Sequence, residues 1–152
     1  MKGLIVIPAR MGSKRLKNKN KKTFLKKPLI QHTIDFAKKI KLTPYILVTT
    51  DDSDILNIAF KNKLLSPWLR PSKISQANST SYSFMKHAIS WFEKTYFKLD
   101  YVILLQPTSP FRNIKTMDEM FKLFKKKKTS VATFSENLEI NKKVYFVINK
   151  KK

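Results

Sequence analysis

Three short stretches of this chain are apolar almost from end to end: LIVIP at residues 4–8, YILVTT at 45–50 and YVILLQ at 101–106. None alternates apolar with polar side chains, as a strand with one wet face would. Strands of this kind need cover on both faces, which is the condition of a parallel sheet inside helical layers. The intervening segments have helical spacing. Residues 28–40 put Ile30, Ile34 and Ala37 on one face with Lys38 and Lys39 opposite, and Asp51 or Asp52 stands where a cap should precede a helix carrying Ile55, Ile58 and Ala59. Residues 81–96 repeat Phe84, Ala88, Trp91 and Phe92. The stretch TMDEMFKLFKK turns Met117, Met120, Phe121 and Phe124 inward, and SVATFS at 130–135 reads as a fourth strand. The pattern predicts an α/β fold: one doubly wound, mostly parallel sheet with helices on both faces.

Ligands of such sheets bind beyond the carboxyl ends of the strands. Three polar segments fall there: PARMGSKRLKNKN after the first strand, TTDD after the second and QPTSPFR after the third. They should line one crevice. The first is dense in Lys and Arg and holds no carboxylate. Gly12 and Ser13 would let the backbone turn close to an anion, to which Arg10, Lys14 and Lys19 bring charge. The GxxxxGK[ST] spacing of a P-loop is missing. A solvated basic loop remains the plainer alternative, because the chain carries a net charge of +22, from 32 Lys and Arg against 10 Asp and Glu.

Most of that excess is Lys spread along the chain, with clusters at 125–128 and 150–152, and reads as solvated surface; the first cluster also suits the dipole at a helix end. A nucleic-acid binder is disfavoured, since no aromatic stacking motif or helix-turn-helix accompanies the charge. Cysteine is absent, which excludes a disulfide framework, a thiolate metal cluster and a Cys nucleophile and fits a reducing cytoplasm. No run approaches the ~18 apolar residues of a membrane span, so the expectation is a soluble protein without a membrane partner.

The segments IPARMGSKRLKNKN, KPLIQHTI, VTTDDSDI, LRPSKIS and LLQPTSPFR, in this order, resemble the acylneuraminate cytidylyltransferase family: the CMP-sialic acid synthetases and relatives acting on other nine-carbon 2-keto sugars. The resemblance covers residues 3–135. Related enzymes for the eight-carbon keto-deoxy sugar share the first motif but usually place an Asp soon after the Gln of the second, where this chain has Pro107, Thr108 and Ser109 after Gln106. The resemblance implies a Rossmann-like nucleotidyltransferase fold and transfer of CMP from CTP to the anomeric hydroxyl of a sialic-acid-like sugar, with release of pyrophosphate. It implies phosphate-binding and catalytic roles for Arg10, Lys14 and Lys19, with Gly12 and Ser13 in the same loop. Asn20 would close that loop around the nucleotide, Arg70 and Ser81 would recognise the cytidine end, and Gln106 would hydrogen-bond the sugar.

Plainer readings stand beside these. Arg70 can be an exposed loop charge, Ser81 the cap of the long helix, His87 a hydrogen-bonded structural residue, and Thr108 and Ser109 stiffeners of a proline-rich loop. Asp51 and Asp52 invite a metal reading that a helix cap answers for at least one of them. The family pattern is also broken in places. The Asp expected soon after Arg70 is replaced around Ala77, and the Gly usual before KPLI is replaced by Lys26 and Lys27. Family members are longer, and the further part carries most of the sugar pocket, the dimerisation segment and the magnesium carboxylates. The expectation is therefore one nucleotidyltransferase domain over 1–152, without that part, in a family that uses Mg2+. The metal ligands would be missing from the chain, and apolar surface would be left bare near Val144, Tyr145, Phe146 and Val147. The alternative is a catalytically silent nucleotide-binding or assembly domain.

Overall fold

The computed structural model describes residues 1–12 and 16–133. Its centre is a parallel sheet of β1 (Gly3–Pro8), β4 (Ile46–Thr49) and β5 (Tyr101–Leu104), in the order β4-β1-β5. Ile5 pairs with Ile46 on one side and with Ile103 on the other. Order reverses at β1, because the chain leaves it for one neighbour and later returns past it to the other. Successive strand residues point to opposite faces, so each apolar run feeds two cores. Ile5, Ile7, Val48 and Ile103 meet helices α1 (Leu29–Lys39), α2 (Ser53–Lys61) and α4 (Ile114–Lys127), whereas Leu4, Val6, Leu47 and Val102 meet α3 (Ser81–Thr95) through Met85, Ala88 and Phe92. This is the doubly wound α/β arrangement that the unbroken apolar runs demand.

The helix faces follow the spacing of their apolar residues, with Ile30, Ile34 and Ala37 fully buried on α1. Side chains that accept from the first free backbone N–H groups start three of the helices: Asp52 for α2, Thr80 for α3 and Asn113 for α4. The cap of α3 is thus Thr80 and not Ser81, which is the first helical residue. Lys125, Lys126 and Lys127 form the last turn of α4, as the helix-dipole reading expects. No described helix is long and apolar enough to cross a membrane.

The fourth strand is a correction. Residues 130–133 have no ladder partner among the described residues, and of these four only Val131 is buried, against the α1/α2/α4 core. Residues 134–135 lie outside the described residues, as do Val144 to Val147.

Two features were invisible to periodicity. A hairpin of β2 (Thr23–Phe24) and β3 (Lys27–Pro28) precedes α1, and its two turn residues, Leu25 and Lys26, both have left-handed backbone, with φ of 46° and 68°. Such a turn prefers glycine, since each left-handed non-glycine costs about 1–2 kcal/mol. Lys26→Gly should therefore raise stability by about 0.5–1 kcal/mol once the greater freedom of glycine in the unfolded chain is subtracted. Urea denaturation measures it, and a lowered midpoint would contradict the strain. The second feature is the segment from Leu65 to Arg70, which runs parallel to the outer edge of β4: Val48 N donates to Leu65 O at 2.8 Å and Arg70 N to Thr50 O at 2.6 Å.

Candidate functional site

The loop leaving β1 is tied to the end of β4 before it turns away. Ala9 N donates to Thr49 O at 3.0 Å, and Thr50 Oγ1 donates to Ala9 O at 2.6 Å. Met11 N then donates to the Asp51 carboxylate at 2.8 Å. Further on, a 3-10 turn over Lys19–Lys21 carries Asn20 inward, where its Nδ2 donates to Arg10 O at 3.1 Å and draws the two ends of the basic loop together. Asn20 is buried, Arg10 and Lys19 are half-buried, and all three line one cleft.

The edge segment delivers Arg70 to the same place. It is only 4% exposed, so it is not the surface loop charge that its position before a proline allowed. Its Nε donates to Ser75 Oγ at 3.0 Å, its Nη2 stands 3.4 Å from Asp51 Oδ1, and the guanidinium lies over the Phe84 ring at 5.4 Å. Burial pulls the Arg70 pKa below its ordinary value, Asp51 pulls it back up, and Arg10 adds a further downward push. Arg10 Nη1 in turn donates to Gln76 O at 3.1 Å, which joins the basic loop to the loop that follows Arg70.

A cleft of about 290 Å³ opens between these loops, the start of α3 and the end of β5. Arg10, Lys19, Asn20, Arg70, Ser81 and Gln106 line it together, although they come from four separate segments. Thr108 also lines it, whereas Ser109 donates its backbone N–H to Gln106 O at 3.2 Å and shapes the turn. Ser13 and Lys14 lie outside the described residues. Gly12 is exposed, its φ is not positive, and a Cβ built there would meet nothing within 4 Å among the described residues. Its lack of a side chain is therefore not needed for the loop's shape. His87 is also corrected. It packs edge-to-face on Trp68 at 4.9 Å, but its buried Nδ1 has no hydrogen-bond partner among the described residues. Burial and then the Arg70 charge push its pKa down, which keeps the ring neutral beside that cation.

Two contributions were missed from sequence. Asp51 holds both Met11 and Arg70, and the cap of α2 is its neighbour Asp52. Arg112 donates to Thr33 Oγ1 at 3.2 Å and to the carbonyl oxygen of Gln106, with its guanidinium near the Phe36 ring, so it pins the loop after β5 onto α1. Its place at the end of the LLQPTSPFR stretch was the available signal.

A magnesium site needs free carboxylates, and those near the cleft are engaged. Asp52 accepts from Asp54 N at 2.9 Å and pairs with Lys21 at 3.0 Å, and Asp54 pairs with the same ammonium at 2.7 Å. The Lys21 pKa is raised, first by Asp54 and then by Asp52. Among the described residues no group of three His, Cys, Asp or Glu could hold a metal ion. The described residues thus do not fit a resident Mg2+.

A family model described as cytidylyltransferase matches residues 4–147. The chain is 37% identical over 135 residues to a CMP-N,N'-diacetyllegionaminic acid synthase of Legionella pneumophila, covering 89% of this chain and 58% of that one. It is also 37% identical over 121 residues to an N-acylneuraminate cytidylyltransferase of Escherichia coli O18:K1:H7, covering 80% of this chain and 28% of the relative. Among solved structures, a CMP:2-keto-3-deoxy-manno-octonic acid synthetase complexed with CTP superposes with a TM-score of 0.68 at 21% identity, over 90% of this chain and 54% of that one. That likeness shows the Rossmann-like nucleotidyltransferase fold alone. The chain spans little more than half the length of the first of these relatives and less of the second.

Proposed function

This chain belongs to the cytidylyltransferase family, and from that premise we propose that it binds CTP in the cleft between Arg10 and Arg70 and serves transfer of CMP to a sialic-acid-like nine-carbon 2-keto sugar. The observation that carries the reading is the convergence of Arg10, Lys19, Asn20, Arg70, Ser81 and Gln106 on one cleft at the strand ends. In the reaction the anomeric hydroxyl oxygen of the sugar bonds to the α-phosphorus. The bond from that phosphorus to the bridging oxygen breaks, pyrophosphate departs with the electron pair, and the hydroxyl proton is released.

Each residue has work suited to its chemistry. Negative charge grows on the departing pyrophosphate, so fixed cations contribute most when they already stand where it develops. Arg10 and Lys19 fill that role, with Lys14 and the backbone of Gly12 and Ser13 assigned to the same loop. Asn20 keeps the loop closed by holding Arg10 O. Arg70 and Ser81 meet the cytosine end, and Gln106, on a loop pinned by Arg112, meets the sugar. Residues 1–152 act as one nucleotidyltransferase domain in the cytoplasm, where CTP is made and used. Any Mg2+ on the triphosphate would arrive with CTP. The engaged state of Asp51, Asp52 and Asp54 favours a second reading, a nucleotide-binding domain with slow or silent chemistry.

Thermal shift separates base recognition from phosphate binding. CTP at a hundred times its dissociation constant should stabilise by about 2.7 kcal/mol, with ATP and GTP giving smaller shifts at equal concentration. Equal shifts from all three would mean that the cleft reads only phosphate. Pyrophosphate release with CTP, sugar and Mg2+ then divides enzyme from silent binder: the second reading predicts binding without turnover.

A further inference from the structure

Lys21 ends the 3-10 turn whose other two members, Lys19 and Asn20, line the cleft, yet it is not among the lining residues itself. A turn of three residues gains little from its own hydrogen bonds, so the ties it makes to other elements decide where its side chains stand. Asn20 joins it to Arg10 O, and Leu29 N donates to Lys22 O at 2.9 Å just after it. Lys21 joins it to the start of α2, with its ammonium 3.0 Å from Asp52 Oδ2 and 2.7 Å from Asp54 Oδ2. Asp52 is a fixed receptor for that ammonium. Its side chain is 3% exposed, its Oδ1 accepts from Asp54 N at 2.9 Å as the helix cap, and its backbone N donates to Thr50 Oγ1 at 3.1 Å.

We propose that Lys21 is a positioning residue of the anion site: by clamping the turn to the start of α2, it sets Lys19 and Asn20 in the cleft before a phosphate chain arrives. The ligand class rests on the nucleotide-binding reading, whereas the clamp rests on the contacts themselves. Groups that already stand in place bind more tightly, because the ligand does not have to order them. A plainer role, in which Lys21 only adds positive charge to a basic surface, makes the opposite forecast at Asp54. Deleting a carboxylate beside the site would then strengthen anion binding. On the clamp account the same deletion takes away one of the two anchors of the ammonium and weakens it. Asp54 suits the comparison because its side chain is 66% exposed and the cap of α2 is Asp52.

Inorganic tripolyphosphate is the probe, because it has no base or sugar to anchor it. In calorimetric titration of folded protein, Asp54→Ala should weaken its binding by about twofold and Lys21→Met by about three- to fivefold, the range of a partly exposed ion pair. Lys22→Met removes the same charge from the exposed next residue and should leave binding nearly unchanged. Lys21→Arg keeps a cation for both carboxylates and should bind nearly as wild type does. The clamp acts through the turn, so the losses from Lys21→Met and Lys19→Ala should be less than additive in the double variant. Stronger binding by Asp54→Ala overturns the proposal, as do equal losses from Lys21→Met and Lys22→Met, additive losses in the double variant, or a wild type that does not bind tripolyphosphate. If Lys21→Met does not fold, because the buried Asp52 carboxylate has lost its cation, Lys21→Gln keeps a donor for Asp52 and takes its place. Titration of wild type with CTP runs alongside: CTP binding no tighter than tripolyphosphate would sink the nucleotide reading, while the tripolyphosphate series still decides for or against Lys21.

Discussion

Arg70→Ala is expected to lower stability by about 2–3 kcal/mol and to weaken CTP binding by at least tenfold. Removing one member of a buried ion pair costs more than the pair contributes, because the partner is left with an uncompensated charge; fully buried cases run to about 3–5 kcal/mol. Here the figure is smaller, since the Asp51 side chain is 19% exposed and the separation is 3.4 Å, so water can reach the abandoned carboxylate. Contacts with Ser75 and Phe84 are lost in the same step. Urea denaturation reads the first effect and calorimetry the second, at temperatures where the variant is folded. Lys19→Ala is the control that parts the two. Its side chain belongs to a short surface turn, so the denaturation midpoint should hold while CTP affinity falls by about 1.5–3 kcal/mol, the range of a charge-assisted hydrogen bond. An Arg70→Ala midpoint equal to wild type would show that the pair does not hold the loops, and an unchanged affinity in Lys19→Ala would remove that residue from the site.

Gly3→Ala should be the most damaging conservative change in the sheet, at about 3 kcal/mol. Gly3 pairs with Tyr101 across β1 and β5, and the Tyr101 ring lies over the glycine so closely that a Cβ would overlap it. The ring cannot give way cheaply. It is 3% exposed, its hydroxyl donates to Leu42 O at 2.7 Å, and it packs edge-on against Phe121 at 4.9 Å. Displacing it adds an overpacking cost of about 1–3 kcal/mol to a lost hydrogen bond of about 1 kcal/mol. Tyr101→Phe isolates the second cost. Tyr101→Val should rescue part of the Gly3→Ala loss, since removing the ring removes the clash; additive losses in the double variant would falsify the steric account.

Much of the fold was legible because it depends on local pattern. Continuous apolar runs can be satisfied only by two covered faces, and the helical spacing of Ile30, Ile34 and Ala37 leaves one way to face the sheet. The basic loop was legible for a similar reason: charge without carboxylates after a buried strand needs an anion or water. Asp52 as a cap belonged to the same class, although the choice between Asp51 and Asp52 did not.

What the sequence could not decide depended on hydrogen bonds between distant segments. The stretch from Leu65 to Arg70 has no strand pattern of its own; it lies along β4 because that edge offers Val48 N and Thr50 O, and this alone carries Arg70 into the cleft. Gly12 looked like a conformational requirement and is not one, whereas Leu25 and Lys26 take left-handed backbone without a glycine because pairing of β2 with β3 over-determines their turn. The single residue type at position 51 was compatible with a cap, a metal ligand or a solvated charge. Sequence by itself determined the layers of this protein, since burial is a property of runs and periods. Only the tertiary structure decided that Asp51 stands between Met11 and Arg70, because a carboxylate takes its role from the donors that folding brings within reach.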